Sequence, residues 1–126
     1  MNPSWRELLA VTIGGMLGTG ARLAIDSLVG QPASTLAINV AGSFALGLLV
    51  ARVWSSAAPW ARAGLGAGLL GSFTTFSAMA VTLVTLGFTW GAALYLALSL
   101  VLGLLAAWAG LRIGSPRPTP IDEGTE

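Results

Sequence analysis

The chain has 126 residues, 55% of them hydrophobic and only 9% charged, with a net charge of +1 and a mean hydropathy of +0.81. That is the composition of an integral membrane protein, not of a soluble domain. Lys, His and Cys are absent, which removes the usual zinc, haem and thiol chemistries, and the near-zero charge gives no reason to expect a nucleic-acid partner.

A membrane-spanning helix needs ~20 mostly apolar residues, and the chain holds four such stretches, which predict an all-α integral membrane fold. Span one runs from about Trp5 to Val29 and contains Arg22 and Asp26. Its apolar stretch exceeds signal-peptide length and ends without a small-residue cleavage site, so it is expected to stay in the mature protein. A cation at membrane depth either snorkels to the interface or faces the bundle interior. Arg22 is therefore open to two readings: snorkelling helped by Asp26 at i+4, or a vestibule cation that attracts anions or braces the bundle.

Span two runs from about Thr35 to Trp54, after the short connection Gly30-Gln31-Pro32. Asn39 lies early in it, with two side-chain donors and an acceptor. It can hydrogen-bond a neighbouring helix, a common use of Asn in membranes, or present a donor to an anion.

Span three runs from about Ala61 to Gly87, after Ser55 to Pro59, and is interrupted by Gly71-Ser72-Phe73-Thr74-Thr75-Phe76-Ser77. Backbone that leaves the helix at membrane depth is tolerated only where protein buries it or it lines a cavity. A break near Gly71 to Thr74 would free carbonyls, and freed carbonyls coordinate hard cations such as Na⁺. The edge of an aromatic ring is electropositive, so Phe73 and Phe76 could favour an anion without carrying a formal charge.

Span four runs from about Trp90 to Ile113, after Phe88-Thr89. Tyr95 and Ser99 are four apart and share a face. Residues 1–113 thus read as one four-helix membrane domain, and 114–126, with Pro116, Pro118 and Pro120, as a disordered tail. The tryptophans Trp5, Trp54, Trp60, Trp90 and Trp108 lie at or near span ends, the headgroup level that Trp prefers. Gly14 with Gly18, and Gly64 with Gly68, have the four-residue spacing that lets helices approach closely. So much glycine in four spans predicts a compact bundle that dimerises.

No acid falls between Ser27 and Ile121. A path lined by Asn39, Thr75, Phe76, Ser77, Tyr95 and Ser99 offers donors and ring edges but no carboxylate. That chemistry suits a small anion. A proton-coupled exporter would need an embedded carboxylate, and Asp26 near a span end is the one candidate.

Three segments resemble the Fluc (CrcB) fluoride channels. These are Gly14-Gly15-Met16-Leu17-Gly18-Thr19-Gly20-Ala21-Arg22, Asn39-Val40-Ala41-Gly42-Ser43-Phe44 and Gly71-Ser72-Phe73-Thr74-Thr75-Phe76-Ser77. The third is the most specific, and the resemblance covers nearly the whole chain. It implies an antiparallel, dual-topology-type dimer in the plasma membrane that passes F⁻ passively out of the cytoplasm and so relieves fluoride toxicity. It also implies a structural Na⁺ at the dimer centre, held by backbone carbonyls that would belong to Gly71 and Thr74. Asn39 would be the pore-lining amide and Phe76 the first of two pore phenylalanines, with Thr75 and Ser77 beside it. Tyr95 and Ser99 would match the polar face of the last span.

Two positions depart from the family pattern. The second pore phenylalanine is Met79 here, a polarisable thioether without a positive ring edge. A further hydroxyl expected on span four falls near Gly103, which has no side chain.

With four spans both termini share a side, and that side carries Arg6, Arg52, Arg62, Arg112 and Arg117, leaving Arg22 toward the other. The positive-inside rule places the termini in the cytoplasm. Identical chains inserting in opposite orientations should show little such bias. The bias and Met79 together raise the alternative of a degenerate or non-conducting partner in a heterodimer with a paralogous subunit. A small multidrug-type exporter and a non-transporting assembly subunit are competing readings. An enzyme is the least supported, because no base–nucleophile pair is present.

Overall fold

The computed structural model describes residues 2–116. The segment read as a disordered tail lies, from Arg117 onward, outside the described residues. Helix α1 (Trp5–Val29) opens on a capping box in which Ser4 and Glu7 satisfy each other's backbone N–H. Helix α2 (Ala33–Arg52) follows a three-residue turn. Span three is a chain of pieces: α3 (Pro59–Arg62), a π-helical segment (Ala63–Leu70), α4 (Gly71–Phe73) and, after a break, α5 (Phe76–Leu86). Helix α6 (Trp90–Gly114) completes the bundle. Gly30 and Gly87 end α1 and α5 at φ 75 and 67, a left-handed region open to glycine without a Cβ clash.

Four helices, Trp5–Val29, Ala33–Arg52, Pro59–Leu86 and Trp90–Gly114, are long and apolar enough to cross a membrane, so the protein is multi-pass. They pair in parallel. Small residues carry both seams: a Cβ on Gly14 or Gly18 would strike backbone at Gly64, Leu69 or Phe73, and one on Gly47 or Gly110 would strike α6 or α2 backbone. Rising numbers meet rising numbers along each seam, so α1 lies parallel to the first half of span three and α2 parallel to α6. The four-residue glycine spacings thus do what the sequence predicts, bringing backbones close enough for dense van der Waals packing where no hydrophobic force acts between helices.

The distribution of side chains is reversed from that of a soluble protein. Among the described residues the buried hydrophobics are Ile38, Met79 and Ala92, whereas Ser34, Thr35, Thr75, Thr82 and Ser99 are buried polar residues. Large apolar side chains such as Leu17, Leu28, Val84 and Leu104 face outward, as a bilayer solvent requires.

Two expectations are corrected. The break does not begin at Gly71: Gly71–Phe73 is helical, and the extended residues are Thr74 (φ −74, ψ 153) and Thr75 (φ −146, ψ 119). The turns before it are π-helical, which hydropathy cannot foresee, because a mean over the span is the same whichever way the backbone winds. Span two also begins and ends two residues earlier than expected, at Ala33 and Arg52.

Candidate functional site

The break is held by Asn39. Its Nδ2 donates to the Thr75 carbonyl at 3.0 Å, and its Oδ1 accepts from the Thr75 N–H at 2.8 Å. One carboxamide thereby replaces both hydrogen bonds that the extended residue would otherwise lack. The helix-to-helix bond open to Asn39 from sequence is formed. Since an amide nitrogen carries two N–H groups, a second donor remains for the cleft that Asn39 lines.

Gly42 makes this approach possible. A Cβ there would collide with the Thr74 methyl and crowd the Phe73 ring. Thr74 in turn bonds back to its own helix, its Oγ1 and its N–H both donating to the Leu70 carbonyl at 3.0 Å. Thr75 caps α5: its Oγ1 accepts from the Ala78 N–H at 3.2 Å and lies 3.1 Å from the Ser77 hydroxyl.

Around this break lies an open cleft of about 340 Å³ lined by Asn39, Gly42, Ser43, Leu46, Gly66, Leu70, Gly71, Thr74, Thr75, Phe76 and Met79. Six residues singled out from sequence (Asn39, Gly71, Thr74, Thr75, Phe76 and Met79) therefore meet at one place, whereas Ser77, expected beside them, is exposed outside this lining. The cleft has hydroxyls, an amide and backbone carbonyls on its walls and no ionisable side chain. Phe76 is 74% exposed, whereas Met79 is 5% exposed; the two positions of the expected aromatic pair point differently, Phe76 out of the chain and Met79 into it.

The carbonyls of Gly71 and Thr74 accept no hydrogen bond from the described residues. In an unbroken helix the Gly71 carbonyl would receive the Thr75 N–H, which here goes to Asn39. Two free carbonyl oxygens on an acid-free wall fit the donor set of a hard monovalent cation.

Span four is not part of the cleft lining. Ser99 donates back to the Tyr95 carbonyl at 2.7 Å, and the Tyr95 hydroxyl is buried without a partner among the described residues. Beside Gly103, where a span-four hydroxyl is missing, stands the hydroxyl of Ser43: a Cβ on Gly103 would lie 3.6 Å from Ser43 Oγ. Sequence reading passed over Ser43 as a site residue, although it sits in the same motif as Asn39. Arg22 is half-buried, and among the described residues Asp26 Oδ1 is buried without a hydrogen-bond partner, so that oxygen does not assist Arg22 at i+4.

At the terminal end of the bundle two arginines have structural work. Arg52 donates to the last carbonyls of α6, through Nε to Gly114 at 3.1 Å and through a terminal nitrogen to Ile113 at 3.3 Å. Arg62 Nε donates to the Ala57 carbonyl at 2.9 Å. Arg6 and Arg112 instead lie over Trp5 and Trp108, 5.8 and 5.5 Å from the ring centroids.

Residues 9–111 match the family described as "CrcB-like protein, Camphor Resistance (CrcB)". The chain is 40% identical to the fluoride-specific ion channel FluC of Paracoccus denitrificans, across 84% of this chain and 92% of the relative. It is 40% identical to fluoride-specific ion channel FluC 2 of Geobacillus kaustophilus, across 86% and 92%, and 41% identical to FluC 1 of Symbiobacterium thermophilum, across 88% and 97%. With a broken third span, a carboxylate-free cleft at the break and matches of this extent, the chain belongs to the CrcB family.

Proposed function

We infer that this protein is a fluoride-specific channel subunit that lets F⁻ leave the cytoplasm down its gradient, and that it has no catalytic activity. The observation that carries the reading is the cleft at the span-three break, walled by an amide, hydroxyls and a phenylalanine, in a chain whose relatives are named fluoride-specific ion channels. A small, strongly hydrated anion must exchange water for donors as it passes. The remaining Asn39 N–H, the Ser43 hydroxyl and whichever of the mutually bonded Thr75 and Ser77 hydroxyls keeps its proton free are such donors, and the electropositive edge of Phe76 adds a weak one. A carboxylate would repel the ion, and none lines the cleft.

One open face is half of a path. Phe76 and Ser77 are exposed on the single chain, and a second subunit meeting them would enclose the route. We assign Gly71 and Thr74 as the carbonyl ligands of a structural Na⁺ between the subunits, where a fixed positive charge would also offset the anion. Tyr95 and Ser99 extend the polar track toward the end of the membrane opposite the termini, and Arg22 attracts the anion there. The termini face the cytoplasm. The test is release of F⁻ from proteoliposomes, read by an ion-selective electrode, with Cl⁻ release measured in parallel. Fast F⁻ release without Cl⁻ release is expected; equal rates for the two ions would overturn the reading.

A second reading, in which this chain is one half of an antiparallel heterodimer with a paralogous subunit, is favoured by Met79 and by the arginine bias. Rapid F⁻ efflux by this chain alone would remove the need for that partner. If the thioether is what weakens the pore of this chain, Met79→Phe should raise efflux by the chain alone, and an unchanged rate would place the defect elsewhere.

A further inference from the structure

We propose that Asn39 is a positioning residue that creates the carbonyl site of span three, and so couples the anion path to the cation that braces it. The inference rests on the sodium reading above and adds the residue that makes the site.

Span three has no proline near its break, and residues 71 to 73 are already helical. Nothing in the local sequence prevents the next turn from closing by a Thr75 N–H bond to the Gly71 carbonyl. That bond is missing because Asn39 Oδ1 holds the Thr75 N–H at 2.8 Å. The same side chain then holds the Thr75 carbonyl through Nδ2 at 3.0 Å, which takes that oxygen out of competition for a cation and keeps the residue extended. The carbonyl oxygens of residues 71 to 74 accept no hydrogen bond from the described residues, and of these four residues Gly71 and Thr74 line the same cleft as Asn39. An unpaired backbone carbonyl at membrane depth is costly, so the arrangement is stable only when something else takes the oxygens. A cation does so. Asn39 thus uses its acceptor and one donor on the backbone and keeps its second donor for the anion. Side-chain chemistry separates the two roles. Aspartate keeps the acceptor that frees Gly71, but loses the donor to the Thr75 carbonyl and places a negative charge in the path. Leucine has nearly the same shape and neither hydrogen-bonding atom.

The experiment compares wild type, Asn39→Asp and Asn39→Leu. Each is purified in detergent and checked for helicity and a single oligomeric species. The first readout is the thermal midpoint in NaCl against N-methyl-D-glucamine chloride. The second is the Gly71 carbonyl-carbon resonance under the same exchange, identified through the following serine nitrogen. Fluoride efflux is measured separately. Wild type and Asn39→Asp are expected to show a Na⁺-dependent rise in midpoint and a shifted Gly71 resonance, while Asn39→Asp loses efflux. Asn39→Leu is expected to lose the Na⁺ response and the efflux together. If Asn39→Leu does not yield folded protein, Asn39→Ala takes its place, since it also removes both atoms. A Leu or Ala variant that keeps the full Na⁺ response would overturn the proposal while leaving the sodium reading intact. A wild type without any Na⁺ response would overturn both.

Discussion

The two halves of span three are held in opposite ways. The first half, from Pro59 to Phe73, lies along α1 with glycine against backbone, and Gly64 and Gly68 are buried there. The second half, α5, keeps only Met79 and Thr82 buried, while Phe76, Val81 and Val84 are 74%, 60% and 83% exposed. One half is fixed by the chain's own packing. The other presents a surface for lipid or for another subunit, and the joint between them is the Asn39–Thr75 pair. A helix broken at membrane depth separates these tasks: the packed half anchors the carbonyls, and the open half turns its first residues toward the path.

The largest effect on this contrast is expected from Gly14→Val. Its Cβ would meet the Leu69 backbone nitrogen at 2.8 Å and press on the Gly64 carbonyl, and overpacking of this kind costs about 1–3 kcal/mol. The thermal midpoint in detergent should fall accordingly; an unchanged midpoint would mean that the first half is not the rigid one.

Thr75→Ala tests the joint. It removes the cap on the Ala78 N–H, worth ~1 kcal/mol, and one hydroxyl of the path. A modest drop in midpoint with a larger drop in F⁻ efflux is expected, and Thr75→Ser should restore both.

The smallest effect belongs to the open half. Val84→Ser changes a side chain that is 83% exposed, and exposed substitutions usually stay within about 0.5 kcal/mol. The fold of the single chain should be unaffected, and any loss should appear as dissociation of the oligomer on dilution. If Val84→Ser lowers the midpoint as far as Gly14→Val does, the contrast between the halves fails.

Much of this was legible in the sequence because the bilayer imposes length and hydropathy so strictly. Span one was placed at its observed bounds, and the others within about two residues at each end, since fraying and capping blur helix ends by that much. The polar run at Gly71 to Ser77 marked the right span because hydroxyls and glycine in an apolar stretch need a reason. It marked the break too broadly: Gly71 stays helical, and only Thr74 and Thr75 at the end of the expected stretch leave the helix, a choice made by an amide on another span. Arg52 and Arg62 read as topology signals and also proved to be hydrogen-bond donors to helix-end and loop carbonyls, since a charge count carries no information about which carbonyl lies within reach.

The sequence by itself determined that the chain crosses the membrane four times, that its interior path holds no carboxylate and that its third span is interrupted. Hydropathy and residue chemistry are properties of the chain before it folds. Only the tertiary structure decided that α1 pairs with the first half of span three and α2 with α6, and that Asn39 takes the Thr75 amide from Gly71. Those outcomes depend on how closely two helices approach, and glycine sets that distance only when the facing helix is in place.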